Sequence, residues 1–172
     1  MFRNDQVILC TSHAYSGTPT SLVTAHFRLE PLGPQHNEAD LDAWMSSVEQ
    51  VRATPGYLDG NWPPPEGYSL EWNLKDLERH AVGFPARTGF TFTVLDPEDG
   101  DVIGCVYLYP PEAEGCDVTK QFWVRASQVH LDGPLADALV DWIAAEFSLP
   151  RCPNVDGTPT NSSYAVPVLV TA

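Results

Sequence analysis

Tyr107 and Tyr109 alternate within an apolar run, Asp101-Val-Ile-Gly-Cys-Val-Tyr-Leu-Tyr109. A phenol with an ordinary pKa of about 10 suits proton delivery to a basic leaving group, and Tyr107 is the candidate for that role. The competing reading is a buried tyrosine bonded to a neighbour. Removing a proton from an amine calls for a carboxylate, and Asp117 is the acid of its own segment, Asp117-Val-Thr-Lys-Gln-Phe-Trp-Val-Arg125. It stands at the start of that segment, where the position favours a solvated turn residue. Tyr57, Trp62, Tyr68 and Trp72 are interleaved with prolines beside Asp59, Glu66 and Glu71. Rings and carboxylates at this density make either a cage for a cationic amine or a packed loop. Trp62, Tyr68 and Trp72 are the candidate acceptor-binding residues. His80 and His130 are isolated in sequence and read as structural histidines.

Cys10, Cys105, Cys116 and Cys152 include no CxxC pair, and the five histidines form no HExxH motif, so no metal site is expected. Cys105 lies in an apolar run and reads as a small buried hydrophobe. The 172 residues carry 9 Lys plus Arg against 23 Asp plus Glu, a net charge of −14. Without clustered cations the chain has no means of binding a phosphate backbone, so neither nucleic acid nor an anionic membrane is expected as a partner. A cationic partner, a small-molecule or peptide amine, suits this field. No stretch has the length of a secretory apolar core or a membrane span, and a cytoplasmic location is the expectation.

These residues need elements to hold them. His26-Phe-Arg-Leu-Glu-Pro-Leu32 alternates as a strand with one buried face. Asn37 is placed to cap a helix with Glu38 and Asp40 in its first turn, and Leu41, Trp44, Met45, Val48 and Val51 form one apolar stripe. The segment from Pro55 to Pro65 is a loop. Ser69 caps a second helix lined by Leu70, Leu74, Leu77 and Ala81, ending near Phe84-Pro85. From residue 88 the period becomes two, and Asp96-Pro-Glu-Asp-Gly100 turns a hairpin whose second strand is apolar on both faces. A further strand covers 117–125. The third helix follows, with the stripe Leu131, Leu135, Ala138, Leu139, Trp142, Ile143 and Phe147. Residues 11–25 and 157–172 carry no Asp, Glu, Lys or Arg. We read 1–24 and 151–172 as terminal arms around a single domain at 25–150. The pieces Val7-Ile-Leu-Cys10 and Ala165-Val-Pro-Val-Leu-Val170 could each add an edge strand or join two copies into a homodimer.

The element order gives an α+β fold, an antiparallel-rich central sheet flanked by three helices. The hairpin Phe90–Tyr109, followed by Phe122-Trp-Val-Arg125 and a helix near Leu131, resembles the GNAT superfamily of N-acetyltransferases, and within it the short acetyltransferase-like proteins of bacteria. The resemblance spans residues 25–150. It implies transfer of an acetyl or related acyl group from acetyl-coenzyme A, or another acyl-CoA, to an amine. It also implies that Trp123, Val124 and Arg125 meet the pantetheine arm and that Gly133 and Ala136 lie by the pyrophosphate at a helix start. The family's loop reads Arg/Gln-x-x-Gly-x-Gly/Ala. Here Leu131-Asp-Gly-Pro-Leu-Ala136 stands opposite it, with Leu131 in the polar place, Pro134 in a glycine's place, and a carboxylate at Asp132. Against the enzyme stands a different class of function, a non-catalytic binding or regulatory module on the same scaffold that recognises a cationic partner.

Overall fold

The computed structural model describes residues 19–109 and 119–146. Five strands, β1 (Leu22–Val23), β2 (Arg28–Pro31), β3 (Phe90–Leu95), β4 (Val102–Tyr109) and β5 (Thr119–Val124), form one sheet in the order β1-β2-β3-β4-β5, every pair antiparallel. Between β2 and β3 the chain makes α1 (Asn37–Met45), α2 (Val48–Ala53) and α3 (Leu70–Ala86), and α4 (Asp132–Glu146) follows β5. The fold is α+β, as the element order implies, with four helices rather than three.

The extra helix comes from a break that periodicity does not show. At residues 46–47 the helix gives way. Ser46 Oγ donates to the Ala43 carbonyl at 2.9 Å, and Ser47 Oγ accepts the Ala126 N–H at 3.0 Å. Serine hydroxyls compete with helical hydrogen bonding, and here one of them ties the break to the end of β5. Asn37 is not the cap expected of it. It lies inside the first turn, where its Nδ2 donates to Leu70 O at 3.1 Å and its Oδ1 accepts from Asn73 Nδ2 at 3.0 Å, joining α1 to α3. Ser69 does cap α3, its Oγ accepting from Trp72 N–H at 3.2 Å. That helix continues through Pro85, whose missing N–H costs a single bond in the last turn, and stops at Arg87 in the left-handed region (φ 58°).

The sheet separates two cores. Under α1–α3, Leu95, Val102, Cys105 and Trp123 pack with Trp44, Val51, Tyr57 and Leu77. On the other face Phe92, Val94, Val106, Leu108 and Val124 pack with Leu135, Leu139, Trp142 and Ile143 of α4. Each fully buried aliphatic side chain contributes about 1.5–3 kcal/mol. Ile103 is an extra residue in β4, because Val94 pairs with Gly104 while Leu95 pairs with Val102. The bulge lets Val102 and Cys105, three residues apart, face the same α1–α3 core, with Ile103 and Val106 on the α4 side. Leu22 and Val23 pair with β2 at the sheet's far edge. The strand-like pieces at 7–10 and 165–170, Phe147 and the first residues of the 117–125 strand lie outside the described residues. Among the described residues no helix is long and apolar enough to cross a membrane, and no group of three or more His, Cys, Asp or Glu is placed to hold a metal ion.

Candidate active site

The hydrogen-bond phase of β5 fixes which of its amides are available. Arg125 N–H donates to Ile103 O at 2.8 Å, and Val124 pairs with Gly104, Trp123 with Cys105 and Gln121 with Tyr107. In an antiparallel ladder bonded residues alternate, so 121, 123 and 125 bond to β4 while the N–H and C=O of Phe122 and Val124 point away from it. Among the described residues no strand pairs with that outer edge. The two outward amides stand about 7 Å apart, a repeat that meets an extended, amide-bearing chain laid along the strand.

Past Val124 the chain is anchored from α1 and from the break that follows it. Arg125 forms an ion pair with Asp42, its Nε buried without a hydrogen-bond partner, and Ala126 bonds to Ser47. A cleft of about 520 Å³ opens here, lined by residues 45–50 and Ala126. Beyond it a 3-10 segment, Ala126–Leu131, runs straight into α4. The Asp132 N–H is taken by Val129 O, Pro134 has no N–H, and Asp132 Oδ1 is buried without a hydrogen-bond partner. Burial pushes the Asp132 carboxyl above its usual pKa. Gly133 is exposed, with nothing within 4 Å of where a Cβ would stand, and Ala136 is half-buried in the next turn.

Over β3 and β4, under α1–α3, lies a polar layer. Asp40 is 5% exposed and accepts from Asn73 Nδ2 at 3.1 Å, while Trp44 Nε1 donates to Asn73 Oδ1 at 3.1 Å. Burial raises the Asp40 pKa to about 6, with the Asn73 bond opposing and the charge of Asp76 adding to the rise. One helical turn along α3, Asp76 lies 3.4 Å from His80 Nε2 and 2.5 Å from Arg79, and His80 Nδ1 meets Thr91 Oγ1 at 3.0 Å. Burial alone would raise the Asp76 pKa, but the bonds from His80 and Arg79 outweigh it and hold the carboxyl below its usual value. Arg79, His80, Thr91 and Tyr109 line a smaller cleft of about 170 Å³.

The candidate residues divide between these places. Tyr107 sits one strand in from the edge, on the face under the helices. A long 3.5 Å contact joins its hydroxyl to Trp123 Nε1, and burial lifts its phenol well above the usual value. Asp117 lies outside the described residues. The Trp123 ring is fully enclosed, 6.1 Å from the ring of Trp62, and its N–H faces β4, so the outward contacts of this strand belong to Phe122 and Val124. Arg125 is engaged with Asp42. Trp62 packs among Trp44, Tyr57 and Trp123 at ring distances of 5.4–6.1 Å. Tyr68 and Trp72 stack on each other at 4.2 Å, with Trp72 52% exposed. Tyr57 and Trp62 therefore pack the loop against the core, and Tyr68 stacks on Trp72 in the first turn of α3. Sequence reading passed over Phe122, Asp40 and Asn73. The Asp76–His80 spacing of four on a helix was the available signal for that pair, whereas nothing in the sequence joins Asp40 to Asn73.

No family model matches the chain, and no curated protein does. Solved structures do match. A ribosomal-protein-S5-alanine acetyltransferase from Vibrio fischeri superposes with a TM-score of 0.57 at 15% identity, over 76% of this chain and 70% of that one. A GNAT-family acetyltransferase from Bacillus anthracis gives 0.55 at 11% identity, over 76% and 69%. RimL, a ribosomal L7/L12 alpha-N-protein acetyltransferase in complex with coenzyme A, gives 0.58 at 12% identity, over 74% and 69%. The fold is that of the GNAT acetyltransferases. On this scaffold the outward amides of β5 fit an amide-bearing pantetheine arm. The start of α4 fits a diphosphate poorly, because one amide is bonded, one is absent, and a carboxylate stands beside them.

Proposed function

We propose that the protein is an N-acyltransferase that moves an acetyl or related acyl group from a pantetheine thioester, such as acetyl-coenzyme A, to an amine. The observation that carries this reading is the outer edge of β5, where the Phe122 and Val124 amides face away from β4 beside the cleft at residues 45–50 and Ala126. Phe122 and Val124 hold the arm in register, and the Val124 N–H supports the thioester carbonyl as negative charge develops on its oxygen. The amine nitrogen attacks the carbonyl carbon, a C–N bond forms, and the C–S bond breaks. The nitrogen gives up a proton, and the departing sulfur gains one. The RimL and S5 enzymes of the same fold are described as acting on ribosomal proteins, which supports a peptide amine as acceptor here. A net charge of −14 favours a cationic one.

The test is thiol release from acetyl-coenzyme A by the full chain, with and without basic peptides carrying a free N-terminus and with simple polyamines. Acceptor-dependent release, together with an acetylated acceptor by mass, is the expected result. Donor binding without acceptor-dependent release across the panel would overturn the transfer reading.

A further inference from the structure

We infer that the acyl donor is held by its pantetheine arm alone, so that the site does not depend on the donor's diphosphate and disfavours it. The inference rests on the acyltransferase reading and concerns which donors that site takes. Two regions of the described structure, adjacent in sequence, point in opposite directions. Along β5 the outward N–H and C=O of Phe122 and Val124 match an uncharged, amide-bearing chain, and recognition there needs no cation. Beyond the 3-10 segment, at the start of α4 where the diphosphate of an extended donor would arrive, one amide is bonded, one is absent and a carboxylate stands beside them.

An anion at a helix start is held by free amides and by the positive end of the helix dipole. In α4 the Asp132 N–H is bonded to Val129 O, because the 3-10 segment leads into the helix without a loop, and the third residue is Pro134. The only charge in that first turn is Asp132, which already complements the dipole and repels a second anion. Its Oδ1 is buried without a hydrogen-bond partner, so no cation within the described chain neutralises that atom. Nor does Arg125 compensate, since its guanidinium is paired with Asp42. Gly133, with open space around it, leaves room for the rest of a donor to pass into solvent. The chemical class that fits is a thioester of pantetheine, or of a pantetheine chain whose distal end projects away from the protein.

The discriminating experiment titrates the full chain at pH 8, where Asp132 is ionised, with coenzyme A and with pantetheine, following the unfolding midpoint and the heat of binding. Pantetheine is expected to bind within about threefold of coenzyme A, or more tightly. Asp132→Asn is expected to tighten coenzyme A by about tenfold while changing pantetheine by less than about twofold, because only the former brings charge to that turn. The wild-type and variant unfolding midpoints without ligand show that the variant is folded. Coenzyme A binding more than about tenfold tighter than pantetheine, or weakened by Asp132→Asn, would overturn the inference and leave the acyltransferase reading standing. Absence of binding by both ligands at millimolar concentration would overturn the two together.

Discussion

Asp40 shows how far a single buried residue departs from what its position in the sequence suggests. It falls in the first turn of α1, where a carboxylate ordinarily serves the helix dipole in solvent, yet it is enclosed against Asn73 of α3. Because its pKa rises from 3.8 to about 6 on folding, the folded state holds the proton more tightly than the unfolded state. Its contribution is therefore most favourable below pH 4 and is lost as the pH rises through about 6, a change of about 3 kcal/mol. Asp40→Asn keeps an acceptor for Asn73 and removes the titration. Denaturant unfolding at pH 4 and pH 8 should show the variant gaining roughly 1–3 kcal/mol on the wild type at the higher pH and little at the lower. A second contrast separates two tryptophans. Trp62→Ala should cost about 2–4 kcal/mol, because the ring fills a space between Trp44, Tyr57 and Trp123. Trp72→Ala should stay within about 1 kcal/mol, because the half-exposed ring only stacks on Tyr68. Equal destabilisation by both would contradict this division.

Among the elements, those legible in sequence are those whose signals are local. The hairpin of β3 and β4 follows from alternation around Asp96-Pro-Glu-Asp-Gly100, with Asp96 N–H bonded to Asp101 O at 2.9 Å and Gly100 at φ 79°. The stripe of α4 and the Ser69 cap of α3 follow likewise from spacing of three and four and from a hydroxyl at a helix start. The α1–α2 break was not legible, since its apolar stripe is continuous and its cause includes a bond from Ser47 to Ala126, 79 residues away. Nor was it legible which amides of β5 face outward, because that depends on register with β4. Gly104 pairs with Val124 at one end of that register, and a Cβ there would stand 2.4 Å from Trp123 O and 3.2 Å from Val124 Cα. Neither contact is to a side chain that can swing away. Gly104→Ala should therefore destabilise by at least about 2 kcal/mol in denaturant unfolding and weaken donor binding beyond that loss, because it displaces the strand that carries Phe122 and Val124. A neutral result would show that β4 and β5 have slack at this point.

For the whole molecule, the sheet divides the labour. One face, covered by α4, is almost wholly apolar and fixes the back of β5 through Val124, Leu135 and Leu139. The other carries Asp40, Asn73, Asp76, His80 and Thr91 under α1–α3. The outer edge of β5 lies between them, in a chain whose net charge of −14 attracts cations and repels anionic donors alike. That charge was legible from composition. The edge on which the account depends required the pairing of Arg125 with Ile103 to be seen. The most direct test is a backbone-amide NMR titration of the full chain with acetyl-pantetheine, and in parallel with acetyl-coenzyme A. The Phe122 and Val124 amide signals are expected to shift most with either donor, while those of Gln121 and Trp123, bonded to β4, shift least. Saturation by a donor that leaves Phe122 and Val124 unmoved, or that shifts Gln121 and Trp123 more, would contradict the account.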